Sequence, residues 1–512
     1  MEMDMTICDD NNERGIKRKY VGDEQSARDS SKLPTIDGRS VTPVVESELR
    51  DDHYYKALYL EEEPNFHLLG QRDPEFKDVL ERGSHLDFGN PKSVMQLTKT
   101  LLKLDFGLLV DLPMDRLCPP VPNRHNYILW LKELIDSTSP LHSDSAEPTR
   151  QVTGLDIGTG ASLIYPLLGC VQRSSWSFIA TDVDSKSLAY ARKNTELNNM
   201  GHRIRVVDRA VTDCLVPLDE LDLETIDFTM VNPPFYTSEA ELVNLAGQKS
   251  RPPNSACTGA PIEMVCAGGE VGFVQRIIDE SLILRERVQW YTAMLGKQSS
   301  LEVLVDILKR HGVTNYAVTA FVQGNKTRRW AIGWSFRSRR PSLSASRGCE
   351  PSAGKKILPF PTEVTIASWP MSRSKSGQLE RAVCDAMDNI DLALWAWDSA
   401  HSRGIGFADG NMWSRAYRRE RAREKKKETD NKNFNGKEGT EIEDPSRQMH
   451  HCQTTNHDSA HYAFGFSLTI QVSRDVQNGE DRSVIIARWL QGDDHALFES
   501  FTGLLRKSIR LS

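Results

Sequence analysis

The chain holds 512 residues, 39% of them hydrophobic and 26% charged, with a formal net charge of −7. No apolar run nears the ~18 residues that a membrane-crossing helix needs. The nine cysteines, odd in number and without a C-x-x-C pair, argue for reduced thiols and against a disulfide or zinc framework.

In chain order, residues 1–64 are polar and acid-rich with little periodicity, the composition of a disordered segment. Lys17-Arg18-Lys19 within it reads as a nuclear-import signal. From 65 to about 150 come helical segments, among them Ser93 to Leu104 and Tyr127 to Ile135, that would cover the entrance to the next fold. A short buried strand then enters a glycine turn, Gly154 to Ala161, followed by Ser162. Gly158 and Gly160 let the backbone pass close to a ligand. A second strand, Ser175 to Ala180, leads to Asp182, an acid placed to bind ribose hydroxyls. Asp156, just ahead of the turn, would repel a pyrophosphate but tolerates a sulfonium and an ammonium. The ligand indicated is S-adenosylmethionine rather than NAD.

A helix from Ser187 to Asn198 and a third strand from Arg203 to Val207 follow, with Thr212 and Asp213 placed near the adenine of that cofactor. The fourth strand, Asp227 to Val231, delivers Asn232-Pro233-Pro234-Phe235 at its carboxyl end, where open α/β sheets bind ligands. Two prolines there lack N–H groups and stiffen the turn. The Asn232 amide oxygen and the Pro233 carbonyl can accept from an exocyclic amine while Phe235 stacks on its ring. Tyr236 to Ala260, with Lys249 and Arg251, reads as a lid beside this turn. Gly269 to Trp290 carries core residues near helical spacing, from Val271 to Val288.

Residues 339–360 read as a Ser/Arg/Pro linker. Residues 361–512 read as a small α+β domain: a strand Glu363 to Trp369, a helix Leu379 to Ala396, strands Phe464 to Val472 and Ser483 to Trp489, and a helix Ala496 to Ser508. A charged insertion at about 401–461, with the basic run Arg415 to Lys427, splits it. His450, His451 and Cys452 sit in that polar stretch without paired ligands, so no metal is expected.

Longer stretches resemble one family: Leu104 to Gly107, Val121 to Tyr127, Asp156 to Ser162, Asn232 to Phe235, Ala267 to Glu270, Phe273 to Ile278, Trp290 to Lys297 and Gln323-Gly324. In this order, over residues 65–338, they are similar to the methyltransferase-like protein 16 family and, beyond it, bacterial large-subunit ribosomal RNA adenine-N6 methyltransferases. The resemblance implies a Rossmann-like class I methyltransferase sheet with a helical amino-terminal part. It also implies methyl transfer to N6 of adenosine in a structured RNA, U6 small nuclear RNA above all, in the nucleus. It puts cofactor contacts on Arg124, Gly158, Ser162 and Asp182 and the catalytic tetrad on Asn232 to Phe235. The carboxy-terminal domain resembles the family's accessory RNA-binding region. One departure is plain: where the family has a basic arm, Leu49 to Phe66 carries more acid than base, and acids do not neutralise phosphates.

The expected RNA grip therefore falls on Lys249 and Arg251, on Lys326, Arg328 and Arg329, with Arg415 to Lys427 assigned to nuclear import. The substrate adenosine must be unpaired or flipped out for its amine to be reached. Two other readings stay open: a protein-glutamine N5 methyltransferase, which holds a planar amide in a similar turn, and a catalytically idle RNA-binding protein. The sequence is silent on oligomeric state.

Overall fold

The computed structural model describes residues 50–60, 63–82, 84–238, 241, 259–323, 327–349, 356–371, 376–434, 462–474 and 479–509. Lys17 to Lys19, Lys249, Arg251, Lys326, His450, His451, Cys452 and nearly all of the expected lid lie outside them.

An eight-stranded sheet carries the first half of the molecule. Its strands are β1 (Val152–Ile157), β2 (Trp176–Asp182), β3 (Ile204–Asp208), β4 (Ile226–Val231), β5 (Val288–Leu295), β6 (Tyr316–Gln323), β7 (Thr327–Trp334) and β8 (Arg347–Gly348). They lie in the order β8-β6-β7-β5-β4-β1-β2-β3. Only β7 runs antiparallel to its neighbours. β1, β4 and β5 are buried almost end to end, as strands of a sheet covered on both faces must be. Gly154 is small for a packing reason: a Cβ there would stand 2.4 Å from the Phe228 ring. That space is filled by the Trp176, Phe178 and Phe228 cluster. The chain order reverses between β1 and β4, so the carboxyl ends of β1, β2 and β4 open on one crevice.

Helices α1 (Asp52–Ala57), α2 (Pro91–Phe106) and α3 (Val121–Ser137) form the amino-terminal part. Here the expectation of disorder up to residue 64 is corrected for residues 50–60; residues 1–49 lie outside the described ones. Asp51 caps α1 by accepting from Tyr54 N at 2.8 Å, and Tyr55 is buried against Phe106 and His125. Asp52 pairs with Lys132 at 2.6 Å and Arg173 at 3.1 Å. The acids that spoil a phosphate-gripping arm thus include one that neutralises buried cations inside the protein. His125 Nε2 lies 2.8 Å from the Tyr55 carbonyl, its Nδ1 meets Gln172 Nε2 at 3.2 Å, and Gln172 Oε1 accepts from Lys132 at 3.1 Å. Around the sheet lie α4 (Ile164–Gln172), α5 (Ser185–Leu197), α6 (Gly269–Leu284) and α7 (Gln298–Arg310). The helical reading of Gly269 to Trp290 fails at its end. Arg285, with φ 47°, breaks α6, and every residue of β5 is buried, which erases any period that could separate strand from helix.

The expected linker is not one. Arg340 is 3% exposed, donates its backbone N–H to Leu490 O at 2.9 Å and its Nε to Gly492 O at 2.8 Å. β8 then joins the edge of the main sheet beside β6. Beyond it, β9 (Glu363–Pro370), β10 (Leu394–Asp398), β11 (Arg403–Ala408), β12 (Phe464–Arg474) and β13 (Asp481–Gln491) make an antiparallel sheet in the order β9-β13-β12-β11-β10. Helices α8 (Ser376–Asp388) and α10 (His495–Ser508) pack on it, sharing its core around Phe466, Phe501 and Leu379. α9 (Arg415–Phe434) follows β11. Two readings are corrected: the helix ends at Asp388, not Ala396, and β11 lies within the stretch taken for an insertion. Gly404 and Gly406 disguised that strand, because glycine is poor in strands. They are needed here, since a Cβ on Gly404 would sit 2.2 Å from the Trp395 ring and one on Gly406 2.4 Å from Phe466. Arg488 and Arg403 on this sheet both pair with Asp144, and Arg403 also donates to His142 O at 2.7 Å. Asp51–Ser512 is accordingly one compact unit.

Candidate active site

At the sheet crevice lies a cavity of about 370 Å³. The glycine turn forms its floor: Gly158 and Gly160 take φ of 70° and 65°. A Cβ on Gly158 would meet no protein atom within 4 Å, so it would fill cavity space instead. Asp182 holds the turn. Its Oδ2 accepts from Gly160 N at 2.8 Å, and its Oδ1 from Val183 N at 2.8 Å and Asp184 N at 2.9 Å. Burial pushes its pKa above the ordinary carboxylate value despite these donors. With about four acceptor positions on a carboxylate, room remains for one more hydrogen bond rather than a two-handed grip on a ribose.

Arg124 and Ser162 also line the cavity. Arg124, near the start of α3, is 6% exposed; its Nη1 meets the Met294 sulfur at 3.4 Å, and its guanidinium carbon lies 5.6 Å from the Tyr165 ring centroid. Among the described residues it has no ion pair, so a buried cation faces the cavity ready for a ligand carboxylate. Asp156 stands behind the wall rather than in it, 1% exposed; among the described residues neither of its oxygens has a hydrogen bond of good geometry, although the Thr159 side chain stands close enough to favour its ionised form. Burial, with the charge of Asp182 adding to it, pushes its pKa up to about 7. An orphaned carboxyl of that kind suits a nearby cation. Asp213 lines the cavity and its Oδ2 accepts from Ala210 N at 2.8 Å; Thr212 is exposed and does not line it.

Asn232 and Pro234 line the same cavity. Among the described residues the buried Asn232 Oδ1 has no hydrogen-bond partner, so it is an acceptor left to be satisfied by something else. Beyond the turn, Tyr236 N donates to Met264 O and Cys266 N to Tyr236 O, each at 3.0 Å. This short pairing clamps the Pro-Pro segment from its exit. Phe235 is half-buried, and the Arg329 guanidinium carbon stands 5.7 Å from its ring centroid. Arg328 is exposed. The structure thus gathers Arg124, Gly158, Gly160, Ser162, Asp182, Asp213, Asn232 and Pro234 around one cavity, with Phe235 and Arg329 beside it.

Two acids escaped the sequence reading. Glu263, which lines the cavity, accepts through Oε2 from Ala260 N at 2.8 Å and Leu117 N at 2.9 Å. Proline early in a short helix with Glu two residues later (Pro261, Glu263) is a start signal that could have exposed it. Glu270 accepts from Gly296 N at 2.6 Å and Lys297 N at 3.1 Å; nothing local in Ala267 to Glu270 announces so distant a partner.

A family model described as RNA methyltransferase matches residues 55–338. The chain belongs to this RNA methyltransferase family, in the branch that includes METTL16. Similarity to the fission yeast (Schizosaccharomyces pombe) U6 small nuclear RNA (adenine-(43)-N(6))-methyltransferase is 38% identity over 338 residues, covering 66% of this chain and 83% of that protein. Human RNA N(6)-adenosine-methyltransferase METTL16 is 43% identical over 285 residues, covering 54% of this chain; the chain spans about half (49%) of the human protein's length. The crystal structure of the human METTL16 catalytic domain in complex with a MAT2A 3'UTR hairpin covers 55% of this chain and 96% of its own at 41% identity, with a TM-score of 0.48. For this branch, the matched span holds both the glycine turn and the Asn232 turn.

Proposed function

We propose that this RNA methyltransferase moves a methyl group from S-adenosylmethionine to N6 of an adenosine in a structured RNA, with U6 small nuclear RNA as the first candidate. The observation that carries the reading is the orphaned Asn232 oxygen at the stiff Pro-Pro turn, facing the same cavity as the glycine turn. The cofactor, when bound, supplies a methyl on a sulfonium, an electrophile that needs no further activation. Arg124 would hold its carboxylate, Asp156 would balance its positive charge through the wall, Asp182 would take a ribose hydroxyl, and Asp213 would sit at the adenine end.

The remaining work falls on the amine. Its lone pair is delocalised into the ring, so it is a poor nucleophile. Hydrogen bonds from its two protons to Asn232 Oδ1 and the Pro233 carbonyl favour the pyramidal nitrogen and aim it. Phe235 holds the ring plane. No side chain need act as general base, because the proton can leave to solvent after transfer. We assign Arg329 to the base-stacking side and Arg328 to the RNA backbone. The basic stretch of α9 is proposed as a nuclear-import signal and the carboxy-terminal sheet domain as an accessory RNA contact.

The test is transfer of radiolabelled methyl from S-adenosylmethionine to a U6 transcript, to total RNA and to total protein, with labelled RNA digested to nucleosides. Label in N6-methyladenosine supports the reading. Label in protein glutamine favours the protein substrate, and no label in either favours an idle RNA binder.

A further inference from the structure

The Phe235 ring does not rest on ordinary packing. At one edge lies Gly296, at the end of β5, where an added Cβ would stand 3.0 Å from Phe235 Cδ1, 3.2 Å from Cε1 and 3.3 Å from Glu270 Oε2. Glu270, 3% exposed on α6, holds that turn by accepting from two successive backbone donors, Gly296 N and Lys297 N. The helix itself is brought under the ring by a pair of left-handed glycines. Gly268 and Gly269 have φ of 75° and 59°, and a Cβ on Gly269 would lie 3.3 Å from the Phe235 carbonyl oxygen. Arg329 closes the arrangement over the ring; burial and the Arg124 charge lower its pKa, and the nearby Glu270 carboxylate partly opposes them.

We infer that Glu270 is a positioning residue for the methyl-transfer step, acting through Gly296 to fix the plane of Phe235. This rests on the proposed reading that Phe235 stacks on the target base. A carboxylate accepting two backbone N–H groups makes charge-assisted bonds. It sets the turn where a glycine fits at the ring's edge and a Cβ, at 3.0 Å from Phe235 Cδ1, would push the ring by a few tenths of an ångström. An in-line transfer is sensitive to misplacement on that scale, about a hundredfold in rate for 1 Å. Binding of either substrate need not change.

The test uses the full chain and four variants: Phe235→Ala, Glu270→Gln, Glu270→Ala and Gly296→Ala. Methyl transfer is measured on a U6 transcript, and base stacking by fluorescence of the same transcript with 2-aminopurine at the adenosine that takes the label. Glu270→Gln keeps one acceptor and the side-chain shape, so it should fold and sit between wild type and Glu270→Ala. The expectation is a kcat lowered about 10- to 100-fold in Glu270→Ala and Gly296→Ala, with KM for RNA and Kd for the cofactor within about twofold and less quenching of the 2-aminopurine. A rate loss in Phe235→Ala alone, with normal kcat and quenching in the Glu270 and Gly296 variants, overturns the inference. An unchanged Phe235→Ala would instead sink the stacking reading on which it stands. If the losses appear in cofactor Kd or RNA KM rather than kcat, Glu270 serves the general fold and the positioning role is rejected.

Discussion

Arg329 stands over the ring of Phe235, 5.7 Å from guanidinium carbon to ring centroid. A basic residue at the base of a hairpin would ordinarily be assigned to phosphate, but this one is half-buried on an aromatic face. A cation–π contact of this kind contributes about 0.5–2 kcal/mol. Arg329→Leu should therefore slow methyl transfer by roughly 2- to 30-fold while leaving the salt dependence of RNA binding unchanged. A phosphate contact would behave otherwise, lowering the log–log salt slope by about one unit. Binding titrations at several salt concentrations decide between them.

Asn232→Ala should lower the transfer rate by about 10- to 1000-fold, the cost of losing one positioned hydrogen-bond partner in a preorganised site. Because the buried amide oxygen has no partner among the described residues, its removal relieves a desolvated group. The variant's Tm should be equal to or above that of wild type. A variant that loses both activity and Tm would show that Asn232 supports the turn rather than the amine.

Asp156 makes cofactor affinity depend on pH. Its pKa is raised to about 7 by burial, and a cationic ligand binds best to the ionised form, so affinity should weaken below about pH 7, by at most tenfold per pH unit. The stability of the free protein runs the opposite way. A carboxyl whose folded pKa lies above its unfolded value binds more protons when folded, so its contribution falls as pH rises from about 4 to 7 and is flat above. Asp156→Asn should flatten both dependences, raise Tm at pH 8 and weaken S-adenosylmethionine in calorimetric titration. A pH-independent affinity in the wild type would remove Asp156 from cofactor binding.

Asp52 should matter for stability although it lies far along the chain from the cavity residues. Lys132 is 1% exposed, with its pKa lowered to about 8 by burial against the support of Asp52. Asp52→Ala leaves that ammonium with Gln172, the Tyr55 ring and the charge of Asp136, at a cost of about 1.5–3 kcal/mol. Burial works against ionisation of Asp52, but Lys132 and Arg173 hold its pKa below the ordinary carboxylate value. The stabilisation is therefore present above about pH 4 and fades as pH falls below it. Urea melts at pH 7 and pH 3 should show the wild type and Asp52→Ala apart at the first and close together at the second.

The parts of the fold that were legible before the coordinates are those where a local signal coincides with the final contact. The glycine turn, the acid closing β2 and the Pro-Pro turn after β4 each act through backbone conformation near their own position. Illegible were the elements defined by distant partners. Asp52 reads as an acid in an acid-rich tail until Lys132 is brought beside it. Gly404 and Gly406 fall in a stretch that reads as an insertion until Trp395 and Phe466 fill their missing side chains. Glu270 sat in a stretch matched only by resemblance, and its partners are the backbone N–H groups of Gly296 and Lys297, just past the next strand. Arg340 carries no sign of burial in a Ser/Arg/Pro run.

That last residue has a practical bearing on how the protein can be divided. A cut at residue 338, the boundary that composition suggests, would discard Arg340 and the edge strand β8. Cys349 and Ile357, which belong to the core beneath the catalytic sheet, would go with them. The free edge left on β6 would be a ready site for pairing with a second molecule. Asp144 would also lose both of its arginine partners, Arg403 and Arg488. A fragment that keeps β8 and its share of the catalytic core therefore has to extend past Leu358, and only the chain through the second sheet keeps the arginine partners of Asp144.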